Sequence, residues 1–239
     1  MVLVLSLWPL FISCGILLLV LGLCSSVLFG GVVGLSVVIL GLIWWGVEDQ
    51  LKRLGSEFSE YFLGGSSLAI LLFIFSEFMF FLSLLISAIY TVDSWDSLVG
   101  VDMFGVPMLI SVVLLSSGVT ITLAHQMIHA GYIEGALIWV MVTVLLGLVF
   151  VSIQAGEWYE NSFSLFDGIG GSMFYFITGF HGMHVIMGAV LNLILFMMLS
   201  FYLGMSYVSF WKGEGIVWYW HFVDVVWLFV YLGLYWYCM

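Results

Sequence analysis

Seven apolar runs, each close to the length that crosses a bilayer, constrain this chain more than any other feature. A membrane-spanning helix needs about 20 consecutive and mostly apolar residues. The runs cover residues 7–28, 30–47, 67–90, 107–128, 135–155, 171–202 and 215–237. Because backbone polar groups must be satisfied internally in lipid, runs of this length predict helices. The sequence therefore predicts an all-α membrane protein with seven transmembrane helices in a single domain, residues 1–239.

The composition agrees with a chain that lies almost wholly in lipid. Hydrophobic residues make up 64% of it and charged residues 7%, with a mean hydropathy of +1.29. A soluble domain carries about 25% charged residues. Only Lys52, Arg53 and Lys212 are basic, and the formal net charge is -11. This charge balance excludes nucleic acid as a partner.

The three basic residues also predict the orientation. Lys52 and Arg53 lie between the second and third runs, and Lys212 lies between the sixth and seventh. Seven crossings place all three on the side of the N-terminus. Basic residues favour the cytoplasmic or matrix side of a membrane, so we expect the N-terminus there.

Small residues at regular spacing predict close contacts between helices. Ser26, Gly30 and Gly34 recur at every fourth position, and Thr178 and Gly182 repeat the interval. This spacing lets helix backbones approach closely in lipid. The first two runs nearly touch, which predicts a tight hairpin. The general frequency of glycine in membrane helices is the alternative explanation of the spacing.

Glu77 is an ionisable residue inside an apolar run. It lies about ten residues into the third run, and so about 15 Å deep. An isolated ionised carboxylate is strongly disfavoured there, so the group should bind a proton or find a hydrogen-bond donor. Two interpretations remain open. One is a carboxyl that exchanges protons or contacts lipid, and the other is a neutral acid bonded to a neighbouring helix.

The last run contains a histidine and a carboxylate on one helical face. His221 and Asp224 are three residues apart. A carboxylate beside a histidine fixes its tautomer, which suits a proton relay or a metal ligand with its supporting group. The alternative is a buried polar clasp between helices, which we favour.

Two further histidine pairs could suggest a metal. His181 and His184 share a face of the sixth run, and His125 and His129 share a face at the inner end of the fourth. A haem normally takes ligands from separate helices, and a di-iron site needs several carboxylates. Five histidines in all, none of them in a Glu-x-x-His arrangement, favour structural hydrogen bonds. The sequence therefore predicts no metal site and, without a nucleophile–base pair, no catalytic residue.

Several motifs follow one another in an order that is typical of a known family. They are Trp44-Trp45, IFSEFMFF at 74–81, GVP at 105–107, LLSSGVT at 114–120, Gln154 with Glu157, TGFHGMHV at 178–185 and WYWHFVDVVWLF at 218–229. In these blocks the chain resembles the subunit III family of cytochrome c oxidase, from the second helix to the end. It departs from the family pattern at Gln126, where the family has a second histidine, and at Gly46 and Ala130.

The resemblance implies a fold and a role. The family divides its seven helices into a group of two and a group of five, separated by a lipid-filled cleft. Its members bind no haem or copper themselves, because those belong to partner subunits. The resemblance therefore implies a subunit of respiratory complex IV that flanks subunit I and supports proton uptake. The complex reduces oxygen to water with electrons from cytochrome c.

The resemblance also implies a location and particular side chains. A mitochondrial inner membrane is expected, with a bacterial plasma membrane as the alternative. Glu77 would be the family's membrane-buried carboxyl. Structural phospholipids such as cardiolipin would bind near a set of aromatic and basic residues: Trp44, Trp45, Lys52, Arg53 and Lys212.

Two other classes of protein are alternatives to this one. A stand-alone proton-coupled transporter could use Glu77 and Asp224. Transporters tend to have two related halves with broken helices, and no such symmetry is visible in the sequence. A di-iron or haem membrane oxidoreductase is disfavoured by the small number of candidate ligands.

Overall fold

The computed structural model of the chain describes residues 7–25, 28–53, 60–91, 103–201 and 210–237, and these form helices and no strand. In chain order the helices are α1 (Trp8–Cys24), α2 (Leu28–Arg53), α3 (Glu60–Tyr90), α4 (Val106–His129), α5 (Ile133–Glu160), α6 (Gly168–Phe201) and α7 (Phe210–Val230). After α7 the hydrogen bonding widens to a π-helix over Tyr231–Tyr237. The predicted all-α fold with seven helices is confirmed for the described residues.

The helices differ in how well they match the thickness of a bilayer. Among the described residues, five stretches are long and apolar enough to cross a membrane: Leu68–Tyr90, Val106–His129, Ile133–Glu160, Gly168–Ser200 and Gly213–Tyr237. The apolar stretches Trp8–Cys24 of α1 and Leu28–Leu42 of α2 are shorter, and the second covers only the first part of α2, as far as its side chains are continuously described. The 17 residues of α1 extend about 25 Å. A crossing by all seven helices, in a single domain, therefore stays a prediction.

Residues 1–63 form one compact unit, in which α1 and α2 pack as an antiparallel hairpin. Backbone lies directly on backbone at two glycines. A Cβ on Gly22 would collide with the main chain of Gly31, and a Cβ on Gly34 would collide with the main chain of Leu19. Only hydrogen fits at these positions, so the hairpin depends on glycine.

Of the predicted four-residue series Ser26, Gly30 and Gly34, only Gly34 is shown to make such a close contact. Gly15 and Gly41 also lack room for a side chain, since an added Cβ would lie 2.9 Å from Val38 and 2.8 Å from Ile12 respectively. Gly30 would accept a Cβ at an ordinary 3.5 Å, and Ser26 lies outside the described residues. Contacts in this hairpin therefore recur at about every second helical turn rather than at every turn.

Residues 64–239 form the second unit, and α7 contributes most to its core. Trp220 is fully buried because Gly147 of α5 and Gly188 of α6 leave space for its ring; a Cβ on either would lie 2.7 Å from it. Its indole N–H donates to Oγ of Ser117 on α4 at 2.9 Å. The next indole along α7, that of Trp227, also donates to a serine of α4.

The end of α4 is fixed by a glycine turn. Gly131 adopts φ of 76°, a conformation that L side chains rarely adopt, and N–H of Tyr132 donates to the carbonyl of Met127 at 2.9 Å. Such a cap satisfies carbonyls that the helix end leaves open. It holds the last turn of α4, which carries His129, in a defined position.

Candidate functional site

Glu77 and His184 form a polar contact between α3 and α6. Oε2 of Glu77 lies 3.1 Å from Nε2 of His184. Nδ1 of the same imidazole lies 2.8 Å from the carbonyl oxygen of Phe180, one turn earlier in α6. The side chains of Glu77 and His184 keep 26% and 17% of their surface exposed, so the pair is not sealed off. Glu77 thus has a hydrogen-bond partner on another helix.

The hydrogen bonds of His184 indicate where protons can lie in the Glu77–His184 pair. A carbonyl oxygen only accepts, so Nδ1 of His184 donates to Phe180 and carries a proton. Between Nε2 and Glu77, either a protonated carboxyl donates to the imidazole or a protonated imidazole donates to the carboxylate. Both forms have the same net charge. A proton can therefore move between the two groups without adding net charge to the apolar interior.

His181 lies one turn before His184 but contacts a different helix. It is fully buried, and its Nε2 donates to the carbonyl oxygen of Val223 on α7 at 3.2 Å. The rings of Phe150 and Trp227 lie with centroids 5.5 Å and 4.9 Å from the imidazole. His181 therefore joins α6 to α7, whereas His184 joins α6 to α3.

Polar side chains line the contact between α4 and α7, which we call the α4–α7 seam (Gly118, Thr122 and His125 with Glu214, His221 and Asp224). Nε2 of His221 lies 3.3 Å from Oγ1 of Thr122. Its Nδ1 lies 3.9 Å from Oδ2 of Asp224, which is too long for a hydrogen bond. Asp224 is buried, and its carboxylate packs against Gly118, where a Cβ would leave it no room. This geometry favours a clasp between helices over a direct His–Asp relay.

Three side chains converge at the end of the α4–α7 seam. Nε2 of His125 lies 2.8 Å from Oε1 of Glu214, and Nε2 of His129 lies 3.1 Å from the same oxygen. The two Nε2 atoms are 3.1 Å apart. In the part of the chain that the structure describes, no other group of three such side chains brings its ligand atoms within 4.8 Å of one another. The sequence identified the two histidines but did not single out Glu214.

A further buried carboxylate lies at the opposite end of the bundle, just beyond residue 155, where the predicted fifth run ends. α5 continues to Glu160, so Glu157 lies in a helix and is only 6% exposed. Its Oε2 accepts hydrogen bonds from Nε2 of Gln154 at 2.9 Å and from the hydroxyl of Tyr235 at 3.2 Å. The spacing of Gln154 and Glu157 could have indicated this pair, because residues three apart share a helical face.

The side chains predicted to bind lipid lie mostly beyond what the structure describes. Trp44 and Trp45 are exposed, at 55% and 41%. Lys52 and Arg53 form the end of α2, and Lys212 lies in the first turn of α7, but their side chains lie outside the described residues. Their binding of lipid stays a prediction.

These features define an all-helical, multi-pass membrane protein whose buried polar groups join neighbouring helices. The family model described as Cytochrome c oxidase subunit III matches residues 1–239 of the chain. The chain therefore belongs to the cytochrome c oxidase subunit III family. The resemblance drawn from the sequence is confirmed, and with it the prediction that the chain is a subunit of an enzyme.

Curated relatives agree with the family match. Cytochrome c oxidase subunit 3 of Pyricularia grisea is 36% identical over 208 residues, which cover 79% of this chain and 77% of the relative. The protein of the same name from Emericella nidulans is 37% identical over 199 residues, covering 76% and 74%. That of Xenopus laevis is 36% identical over 198 residues, covering 77% and 76%.

Proposed function

We propose that this chain is a non-redox core subunit of cytochrome c oxidase, respiratory complex IV, and that it lies against subunit I. The observation that carries the proposal is the family match over residues 1–239, with relatives named as subunit 3 at 36% and 37% identity. In this role, partner subunits hold the haem and copper that reduce oxygen to water with electrons from cytochrome c. The chain contributes packed helices and polar groups at membrane depth.

The Glu77–His184 pair supports a role in proton supply. In this proposal the two groups share one mobile proton, about nine residues, or roughly 14 Å, into the Leu68–Tyr90 stretch. Both side chains remain partly exposed, so a neighbouring subunit or lipid can approach them. In this proposal the pair stores or passes a proton beside the catalytic subunit, and the reaction itself takes place elsewhere.

An apolar groove supports the binding of structural phospholipid such as cardiolipin. A cavity of about 450 Å³ lies between α3 and α7, lined almost wholly by apolar side chains. Its walls include Ile74 and Phe78 of α3 with Phe222 and Val225 of α7. An acyl chain suits such a groove because both are apolar and elongated. We also propose that lipid headgroups contact a set of aromatic and basic side chains: Trp44, Trp45, Lys52, Arg53 and Lys212. The proposal further includes the family's lipid-filled cleft, with two helices in one group and five in the other.

The proposed location is the mitochondrial inner membrane, with the N-terminus in the matrix and the C-terminus on the other side. The placement of Lys52, Arg53 and Lys212 supports this orientation. Tags at Met1 and Met239 should be accessible from opposite sides of sealed membranes. Accessibility of both tags from one side would contradict the orientation.

Purification of the native chain in mild detergent tests the main proposal. We expect it to co-migrate with larger subunits, with haem and with copper, because partner subunits hold those cofactors in the proposed complex. The control is the same purification from membranes in which this chain carries no affinity tag, which reveals unspecific capture. A chain that migrates alone and moves protons in vesicles would instead support a transporter, and haem or iron retained on the isolated chain would support a membrane oxidoreductase.

A further inference from the structure

We propose that His125, His129 and Glu214 form a binding site for a divalent cation of the zinc class at the end of the α4–α7 seam. The three ligand atoms are Nε2 of each imidazole and Oε1 of the carboxylate, with mutual distances of 2.8 Å, 3.1 Å and 3.1 Å. Two imidazoles and one carboxylate are a ligand set that zinc uses in proteins. All three atoms therefore converge on one point, as ligands around an ion do.

The size of this triangle fits a tetrahedral ion. Zinc binds histidine nitrogen and carboxylate oxygen at about 2.0–2.2 Å in a tetrahedron, so its ligand atoms lie about 3.3–3.6 Å apart. The two separations of 3.1 Å are about 0.2–0.5 Å shorter than this, and the separation of 2.8 Å is about 0.5–0.8 Å shorter. An outward shift of that size lies within the rotation of the side chains. The backbone needs no rearrangement to bind the ion.

Hydrogen bonds alone do not satisfy this triangle. Each Nε2 carries at most one proton, and a hydrogen bond prefers a nearly linear arrangement. If both nitrogens donate to Oε1 of Glu214, the contact of 3.1 Å between the two Nε2 atoms joins two donors and has no acceptor. If one nitrogen is bare, one of its two contacts has no suitable donor. An ion at the centre meets all three lone pairs at once.

The helices hold the three ligands in place before any ion binds. His125 and His129 are one turn apart on α4, and their rings stand at 87° with centroids 4.5 Å apart. The glycine cap at Gly131 fixes the end of α4 next to them. Glu214 projects from the first turns of α7, near the position where that helix enters the seam. An ion would therefore link the end of α4 to the beginning of α7.

Exposure leaves a place for a fourth ligand. Glu214 keeps 14% of its side-chain surface, His125 keeps 28% and His129 keeps 42%. Exposure increases toward His129, so an ion can enter and bind water on that side. Three protein ligands with an open fourth position are typical of zinc sites that exchange or act on a ligand.

The test uses Zn²⁺ itself and the full chain in whatever assembly it is isolated. Equilibrium dialysis against ⁶⁵Zn²⁺ compares the wild-type chain with His129→Leu and Glu214→Gln. We expect one equivalent of tightly bound zinc more in the wild type, and a Kd raised by at least about tenfold in each variant, since even the groups that support metal ligands change affinity by about 10–100-fold. X-ray absorption should show only nitrogen and oxygen neighbours at about 2.0–2.2 Å.

The matched control is Glu134→Gln, which removes one negative charge at an exposed position in the first turn of α5, on the same side of the bundle. It should retain zinc as the wild type does. Equal zinc in the wild type and in His129→Leu overturns the site. An equal loss in Glu134→Gln also overturns it, because surface charge rather than the ligand set would then hold the ion. Because variants are compared within one assembly, the result is independent of the proposed oxidase function.

Discussion

The α1–α2 hairpin and the five-helix unit use different means to hold helices together. In the hairpin, Gly22 and Gly34 bring backbone onto backbone, and the hydroxyls of Ser13 and Ser36 bond only to carbonyls of their own helices. In the five-helix unit, polar side chains bond from one helix to another. Lipid provides little hydrophobic drive for association, so close packing and hydrogen bonds are the available alternatives.

This difference implies that the two units respond to different substitutions. A helix pair held by glycine tolerates polar changes, but not a carbon atom added to a glycine that lies on the backbone of the facing helix. A bundle held by hydrogen bonds tolerates small changes of volume but not the loss of a donor or acceptor. The following substitutions test this contrast, beginning with the largest expected effect.

Gly22→Ala should weaken the hairpin most. The added Cβ would meet the main chain of Gly31, which cannot rotate away as a side chain can. Overpacking of this kind costs about 1–3 kcal/mol, and we expect the upper end of that range. The free energy of unfolding, measured by titration with a denaturing detergent, gives the effect.

Gly31→Ala is the matched control for that substitution. It makes the same chemical change on the facing helix, but a Cβ there has nothing within 4 Å. We expect a change near zero. Equal effects of the two substitutions would contradict the glycine contact as the basis of the hairpin.

Ser111→Ala should destabilise the five-helix unit more than the loss of a hydroxyl that bonds only within its own helix. Oγ of Ser111 accepts the indole N–H of Trp227 at 2.8 Å, and the indole is fully buried. Without that acceptor, a buried donor is left unpaired, which costs about 1–2 kcal/mol. Ser116→Ala is the control, because Ser116 is exposed and bonds only within α4. Equal losses of unfolding free energy would contradict the contrast.

Glu77 allows a test in which size is nearly constant. Glu77→Gln can still donate a hydrogen bond to Nε2 of His184, so we expect a change in unfolding free energy within about 0.5 kcal/mol. Glu77→Leu leaves that nitrogen without its partner, and a loss of about 1 kcal/mol is expected. If the leucine variant unfolds like the glutamine variant, the contact does not stabilise α3 against α6.

The same glutamine variant tests the proposed function. Glutamine cannot take up or release a proton, so Glu77→Gln should alter proton supply, lipid retention or durability during turnover. Oxygen reduction should remain near the wild-type rate, because partner subunits hold the redox centres in the proposed complex. Loss of oxygen reduction in an assembled, haem-replete complex would contradict this role of Glu77.

The contrast between the units also explains what the sequence could predict. Helices follow from apolar runs, and the hairpin follows from two runs that nearly touch, because both are local. The partners of Glu77 and His129 are not local: Glu77 pairs with His184 across 107 residues, and His129 meets Glu214 across 85. Spacing on one helix shows which side chains share a face, but it does not show which helix that face meets. The α4–α7 seam therefore required the structure.

The smallest expected effect lies between α4 and α5, where Oγ1 of Thr120 is 2.7 Å from Oγ1 of Thr143. Each hydroxyl also lies within hydrogen-bond distance of a carbonyl one turn earlier in its own helix, at 2.8 Å and 2.9 Å. Two hydroxyl protons cannot fill all three bonds, so one bond is always open. When either threonine is replaced by valine, the remaining hydroxyl can return to its own carbonyl. The net value of the contact between the helices should therefore be small.

A double-mutant cycle of Thr120→Val and Thr143→Val measures that value directly. We expect a coupling energy of about 0.6 kcal/mol, the average for such bonds between membrane helices. Thr178→Val is the matched control, because Thr178 is buried and donates only to the carbonyl of Phe174 on its own helix. Combined with Thr120→Val it should show no coupling. A coupling near 2 kcal/mol between Thr120 and Thr143 would contradict this expectation. The two hydroxyls would then bond to each other in preference to the carbonyls of their own helices, and their contact would be one of the strongest in the bundle.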